Sequence, residues 1–290
     1  MADENTRRSA ASTVDGVPAS FPDGFEAHAL VVSLVLLIAS PLLLAVSIST
    51  QTAGQAADPL HLWVGSQGVT KYREALVTYD LGRYMMNSLV MAIVITIGKI
   101  SISLLAALAL VYYQFRFKRL VFFFILFALL FPVPVRIVPL YELMADLGWV
   151  NTYAALTGPF IASATAVFLL RQHLQSIPDS IVETAQLDDI GPIRFLYSVL
   201  IPMSRGMIAG LAVITFIYAW NQYLWPLIIV NDDARQVVQV GIRNLKGVQI
   251  GGQFDWPLLM SGAVISLLPP LVLLVALRRP LLETFGLETK

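Results

Sequence analysis

The chain has 290 residues, of which 57% are hydrophobic and only 13% charged, with a formal net charge of zero and a mean hydropathy of +0.73. That composition belongs to an integral membrane protein; it excludes a disordered chain, and with no basic surplus to meet phosphates no nucleic-acid partner is expected. The absence of cysteine removes disulfides and thiol chemistry.

The first 27 residues are rich in Ala, Ser, Asp and Arg and nearly free of large apolar groups before Phe21. They cannot bury a core and are expected to form a mobile cytoplasmic tail. A cleavable signal peptide is disfavoured, because Asp23 and Glu26 stand where a basic leader would be and the apolar run that follows is about 20 residues long. Six candidate spans then come in order at 28–50, 84–112, 120–140, 153–170, 207–230 and 258–277, each near the ~20 residues that cross the hydrocarbon as a helix. Unbroken runs such as LVFFFILFALLF exclude a barrel of ~10-residue alternating segments. The fold class expected is an all-α membrane protein with six transmembrane helices, its membrane domain over 28–280 with a core at 84–277. A short cytoplasmic tail is expected at 281–290.

Orientation follows from the short connections. Arg116, Lys118 and Arg119 crowd residues 113–119, whereas 141–152 holds no Lys or Arg. The basic side faces the cytoplasm, which puts both termini inside.

No G-x-x-x-x-G-K-[ST] occurs, since Gly98-Lys99-Ile100 lacks both the upstream Gly and the hydroxyl, so this chain is not expected to hold ATP in a P-loop. No His-Glu-x-x-His occurs, and His28, His61 and His173 are scattered, so neither metal nor acid–base catalysis is expected and no cofactor is implied.

Three places in the spans carry unusual polarity. Lys99 lies near the middle of the second span, roughly 15 Å from either interface at 1.5 Å per residue. An ionisable group there costs at least about 2.5–3.5 kcal/mol and is a functional candidate by default; its structural alternative is hydrogen bonding to carbonyls or to hydroxyls such as Ser101 and Ser103. Arg136 sits among Pro132, Pro134 and Pro139, where missing backbone donors are tolerated only beside a cavity or protein. Its planar fork suits a phosphate or carboxylate, and its structural alternative is an ion pair with Glu142 or Asp146. In the fifth span Asn221, Gln222 and Tyr223 bring hydrogen-bonding groups to one or two turns of helix, as a pathway wall would. Neighbouring Trp225 fits an aromatic belt at the headgroups.

The polar island at 171–205 is too long and too patterned for a simple turn. Pro178 and the break at Asp188-Asp189-Ile190-Gly191-Pro192 bound a short helix, in which Ser180 and Glu183 have the spacing of a capping box. A second helix runs toward Pro202. Glu183-Thr184-Ala185, with Asp189 six residues after Glu183 and Ile201-Pro202 at the end, resembles the Glu-Ala-Ala coupling loop of ATP-binding-cassette importer permeases. Here Thr184 replaces a small apolar residue. Asp189 replaces the turn glycine, although Asp tolerates the left-handed conformation and Gly191 is placed to relieve the same turn.

Taken with the segments 87–110, 131–139, 162–172 and 212–230, the likeness runs from about Tyr72 to Val230. The chain resembles the carbohydrate-uptake permeases of type I importers, most of all the branch that imports sn-glycerol 3-phosphate. The resemblance implies a second permease subunit, two copies of a cytoplasmic ATPase that hydrolyses the ATP, and an extracytoplasmic substrate-binding protein. It assigns coupling to Glu183, Thr184, Ala185, Asp188, Asp189, Gly191 and Pro202. Alternatives are the same machine carrying a neutral sugar, an ion-coupled secondary transporter using Lys99 as a relay, and a structural membrane subunit; a cytoplasmic knob favours the ATP-driven machine.

Overall fold

A computed structural model describes residues 25–284. The expected N-terminal tail lies outside the described residues except for 25–27, which already form the first turn of a helix, and residues 281–284 close the helix Arg278–Thr284. The chain divides into two units at Leu44/Ala45, and the first consists, as far as it is described, of the start of the helix Phe25–Ser49.

Almost every element is helical, as the long apolar runs require. Three helices are long and apolar enough to cross a membrane, and six crossings are possible if each bent pair is one span. The three continuous ones are Glu26–Ser49, Leu81–Tyr112 and Trp256–Ala276. The second span, Leu81–Tyr112, has 32 residues, a length of roughly 48 Å that exceeds the hydrocarbon.

The other crossings are broken. The span expected over 120–140 is not one continuous helix: helix Lys118–Phe127 passes into a tight turn, stops at Phe131-Pro132 and restarts as Val133–Asp146 at an angle of 107°. The closely set prolines remove the donors that would have carried the ladder across. The fourth crossing joins Tyr153–Phe160 to Ala164–Gln175 at 43°. The fifth begins as Arg205–Trp220 and ends at Asn221, before a short helix Leu224–Ile229. Asn221-Gln222-Tyr223 is therefore a gap between helices rather than one or two turns within one.

Proline inside a span frees the carbonyl four residues earlier, which in lipid has no water to turn to. At three prolines a side chain takes up the freed carbonyl. Pro41 frees Leu37, and Ser40 Oγ donates to Leu37 O at 2.8 Å. Pro159 frees Ala155, and Trp225 Nε1 donates to Ala155 O at 2.9 Å. Pro270 frees Ser266, and Trp220 Nε1 donates to Ser266 O at 3.1 Å. Trp225 is thus a buried anchor, also edge-on to Phe160, and not a belt residue at the headgroups.

Two apolar clusters hold the second unit together along the second span. The outer one gathers Leu81, Met91, Ile95, Leu156, Trp220, Trp225, Ile229 and Leu258. The inner one gathers Leu104, Leu108, Leu170, Leu174, Ala185, Phe195, Leu200 and Leu211. Over the outer cluster lies a cap that sequence periodicity alone did not reveal: helix Val238–Leu245, followed by a hairpin pairing Gln249 with Phe254 and Ile250 with Gln253. Gly251 and Gly252 turn the hairpin with φ of 59° and 82°, the left-handed pair a two-residue hairpin demands.

Candidate functional site

The 171–205 island folds as a helical knob on the inner cluster. Its first helix is Asp179–Leu187. The helix starts two residues earlier than the Ser-x-x-Glu spacing predicts, because Pro178 (φ −58°, ψ 136°) takes the cap position and Asp179 is already helical. Ser180 therefore caps nothing and no capping box forms; instead Thr184 Oγ1 donates to Ser180 O at 2.8 Å, inside the helix. Asp188 closes the helix, its amide donating to Gln186 O and Thr184 O.

The turn is made by Asp189, with φ 51°. This is the left-handed conformation usually assigned to glycine, which Asp reaches at modest cost. Gly191 does not share it: with φ −64° and ψ 159° it is extended and caps the next helix, and a Cβ there would meet nothing within 4 Å. From Pro192 the chain is helical to Met203. Pro202 is accommodated because Leu196–Leu200 forms a wide π turn, with the Ile201 amide reaching back to Leu196 O. That widening relaxes the contact a proline ring makes with the carbonyl four residues before it.

Burial sorts the motif residues. Ala185 is buried, packing with Leu108, Tyr112 and Phe195 around a cleft of about 140 Å³. Tyr112 stands edge-on to Phe195, centroids 5.5 Å apart, and its hydroxyl donates to Leu174 O at 3.0 Å. Glu183, Thr184, Asp188, Asp189, Gly191 and Pro202 are exposed. Exposed with them are Leu187, Ile193, Tyr197 and Met203, Leu187 at 88%. The knob thus has a packed base and a mixed acidic and apolar outer face. Its run Pro192–Met203 meets Arg205–Trp220 at 83°.

The pathway candidates do not converge. Lys99 is buried, and its Nζ lies 4.5 Å from the centroid of the Tyr218 ring of the fifth span. It makes no hydrogen bond to Ser101 or Ser103; Ser101 is exposed and Ser103 Oγ is buried without a partner. Next to it, Gly98 lets Ile161 of the fourth crossing approach so closely that a Cβ would stand 2.9 Å from Ile161 Cγ2. Arg136 is exposed on Val133–Asp146, and the ion pairs with Glu142 or Asp146 do not form. Asn221 Oδ1 accepts from Gln239 Nε2 at 3.1 Å, Tyr223 is partly exposed, and both amide atoms of Gln222 are buried without a partner. Among the described residues no hydrogen bond, ion pair or ring contact joins Lys99, Arg136 and 221–223 to one another.

Polar fasteners on the outer side were not anticipated. Lys71 Nζ bonds Asp255 at 2.6 Å and Glu74 at 2.9 Å, with the Asp255 side chain fully buried. Asn87 Nδ2 donates to Ala234 O and Gln236 O, its Oδ1 accepts from Tyr153 Oη at 2.6 Å, and Ser88 Oγ accepts from the Val238 amide at 2.8 Å. Together they pin the 234–238 segment to the second span. The only local signal was Asp255 preceding Trp256-Pro257, a helix-start pattern. Asp255 does cap that helix, accepting from the Leu258 amide at 3.1 Å.

Residues 99–281 match the model of the binding-protein-dependent transport system inner membrane component family. The sn-glycerol-3-phosphate transport system permease protein UgpE of Brucella melitensis is 38% identical over 260 residues, covering 87% of this chain and 92% of its own. Its counterparts of the same name in Agrobacterium fabrum and Yersinia pestis are each 38% identical over the same shares of both chains. Among solved structures, a bacterial ABC transporter involved in the import of the acidic polysaccharide alginate superposes with a TM-score of 0.78 at 18% identity, covering 91% of this chain and 99% of that one; at that identity the likeness is one of fold. With a helical knob on a bundle of apolar spans and a family match over most of its length, the chain belongs to the binding-protein-dependent transport system inner membrane components, the permease subunits of ABC transporters.

Proposed function

We propose that this chain is one of two permease subunits of an ATP-driven importer whose cargo is sn-glycerol 3-phosphate or a related glycerophosphodiester. The observation that carries the cargo is the near full-length likeness to permeases named for sn-glycerol 3-phosphate. The partners are a second permease, two copies of a cytoplasmic ATPase that hydrolyses the ATP, and an extracytoplasmic binding protein. Glu183, Thr184, Asp188, Asp189, Gly191 and Pro202 shape the outer face of the knob, which seats in a cleft of the ATPase; Ala185 keeps its base packed on the membrane domain. Arg136, exposed and without an ion pair among the described residues, supplies positive potential to a phosphate. Coulomb attraction at ~4 Å is about 4 kcal/mol at an effective dielectric of 20, strong enough to guide and weak enough to release. Lys99 and the 221–223 gap line other parts of the route.

The test is ATP-driven uptake by the reconstituted transporter with its binding protein, offering glycerol 3-phosphate against a neutral disaccharide. Glycerol 3-phosphate is taken up, and Arg136→Gln depresses that uptake while assembly and basal ATPase activity persist; Arg136→Lys restores it in part because the fork is lost. Uptake of the disaccharide alone refutes the cargo. Glu183→Lys leaves the complex in the membrane but uncouples or releases the ATPase; full uptake by that variant refutes the coupling role.

A further inference from the structure

On the basic side of the membrane, where the second span ends and the third begins, lies a cavity of about 540 Å³. Lys118, Arg119 and Arg171 line it with Phe115, Phe117 and Phe122, and no carboxylate does. Two of the cations are held in place. Lys118 Nζ donates to Val111 O at 3.2 Å and Tyr113 O at 2.9 Å, carbonyls at the end of the second span. The Arg171 guanidinium lies 4.2 Å from the centroid of the Phe122 ring and donates to Gln175 Oε1 at 2.9 Å. None of the three enters an ion pair among the described residues. The helix Lys118–Phe127 also starts here with no side-chain cap, so its first amides add positive potential to the same space.

We infer that this cavity is a binding site for the headgroup of an anionic phospholipid of the cytoplasmic leaflet. Three cations, two of them held in place, without an acid suit a net negative headgroup and offer nothing to the ammonium of a zwitterionic one; basic pockets between spans on the cytoplasmic side hold such headgroups. A lipid is favoured over a soluble anion because the same helix continues directly into an apolar face, with Leu120, Phe123 and Phe124 half or more exposed. That face is where acyl chains would lie once the headgroup is seated. The site is separate from the knob's outer face and from Arg136.

The experiment is native mass spectrometry of the assembled transporter, titrated with phosphatidylglycerol, with phosphatidylcholine of the same chains, and with inorganic phosphate. Phosphatidylglycerol is retained in preference to phosphatidylcholine. The double variant Arg119→Gln/Arg171→Gln weakens that retention about thirtyfold, at the usual contribution of each cation near an anionic surface. Lys118 is left intact because it also ties the end of the second span. Arg205→Gln, on the same side of the membrane but outside the cavity, leaves retention unchanged. Equal retention of the two lipids, or an equal loss in Arg205→Gln, overturns the site, and displacement by excess inorganic phosphate overturns the lipid in favour of a soluble anion.

Discussion

The outer and inner halves of the bundle are fastened by different forces. Around Trp220 and Trp225 the packing is cross-tied by directional bonds between residues far apart in sequence: Lys71 to Asp255, Asn87 to Ala234 and Gln236, Trp225 to Ala155, Trp220 to Ser266. Around Leu174 and Leu200 the cluster is aliphatic and aromatic, and its long-range polar tie is the Tyr112 hydroxyl on Leu174 O. Directional bonds fix a single register, because a shift of an ångström breaks them. Dispersion contacts fall away gradually, so the inner half can slide or tilt as a packed unit while the outer half holds its geometry.

The comparison can be broken most severely at Asp255. Asp255→Ala leaves the Lys71 ammonium buried with only Glu74, and removing one partner of a buried pair costs about 3–5 kcal/mol. Thermal unfolding in detergent should register that loss, and Lys71→Met/Asp255→Leu together should recover much of it. An unchanged Tm for Asp255→Ala would remove the outer half's main tie.

In the inner half, Leu200→Ala opens a cavity at a fully buried position and should cost about 2–5 kcal/mol. If that half gives way as described, part of the cavity collapses and the loss falls toward the lower bound. A crystal structure of the variant in which the cavity stays open at full volume would count against it.

Trp225→Phe keeps the ring but orphans Ala155 O, with an expected loss of about 1–3 kcal/mol. Pro159→Ala returns an amide to that carbonyl, so the double variant should lose less than the sum of the two singles. Strict additivity in such a cycle would show that the indole is not compensating for the proline.

The smallest effect concerns pH. Burial opposes the Lys71 charge, but the bonds to Asp255 and Glu74 outweigh it and raise its pKa above the usual 10.5. A raised pKa means the folded state holds the proton more tightly. Its stabilisation is complete below the unfolded value and fades as pH climbs through the folded one. Tm should therefore fall in alkali by more in the parent than in Lys71→Met; equal slopes would contradict the linkage.

What sequence reasoning could reach follows the same division. Apolar length located the crossings, and Pro178, Asp189 and Pro192 located the knob, because such signals act within a few residues of themselves. Periodicity said nothing of the 107° break after Phe131 or the gap at Asn221, since a hydrophobic run looks alike whether straight or bent. The Lys71–Asp255 pair joins residues 184 positions apart, and the Trp220 and Trp225 bonds answer to prolines on other helices. Ser180 misled for a local reason: Pro178 moved the helix start by two residues and took the cap with it.

One consequence of the 83° corner between Met203 and Arg205 is mechanical. Two rods joined near a right angle form a crank: turning one about its own axis sweeps the other through an arc. Helix Arg205–Trp220 has 16 residues, an arm of roughly 24 Å, so a turn of about 10° in the rod before it would carry a free far end about 4 Å. That far end is Trp220, whose indole grips Ser266 O. Torque applied at the knob would therefore arrive as load on that bond, at the end the outer ties hold fixed.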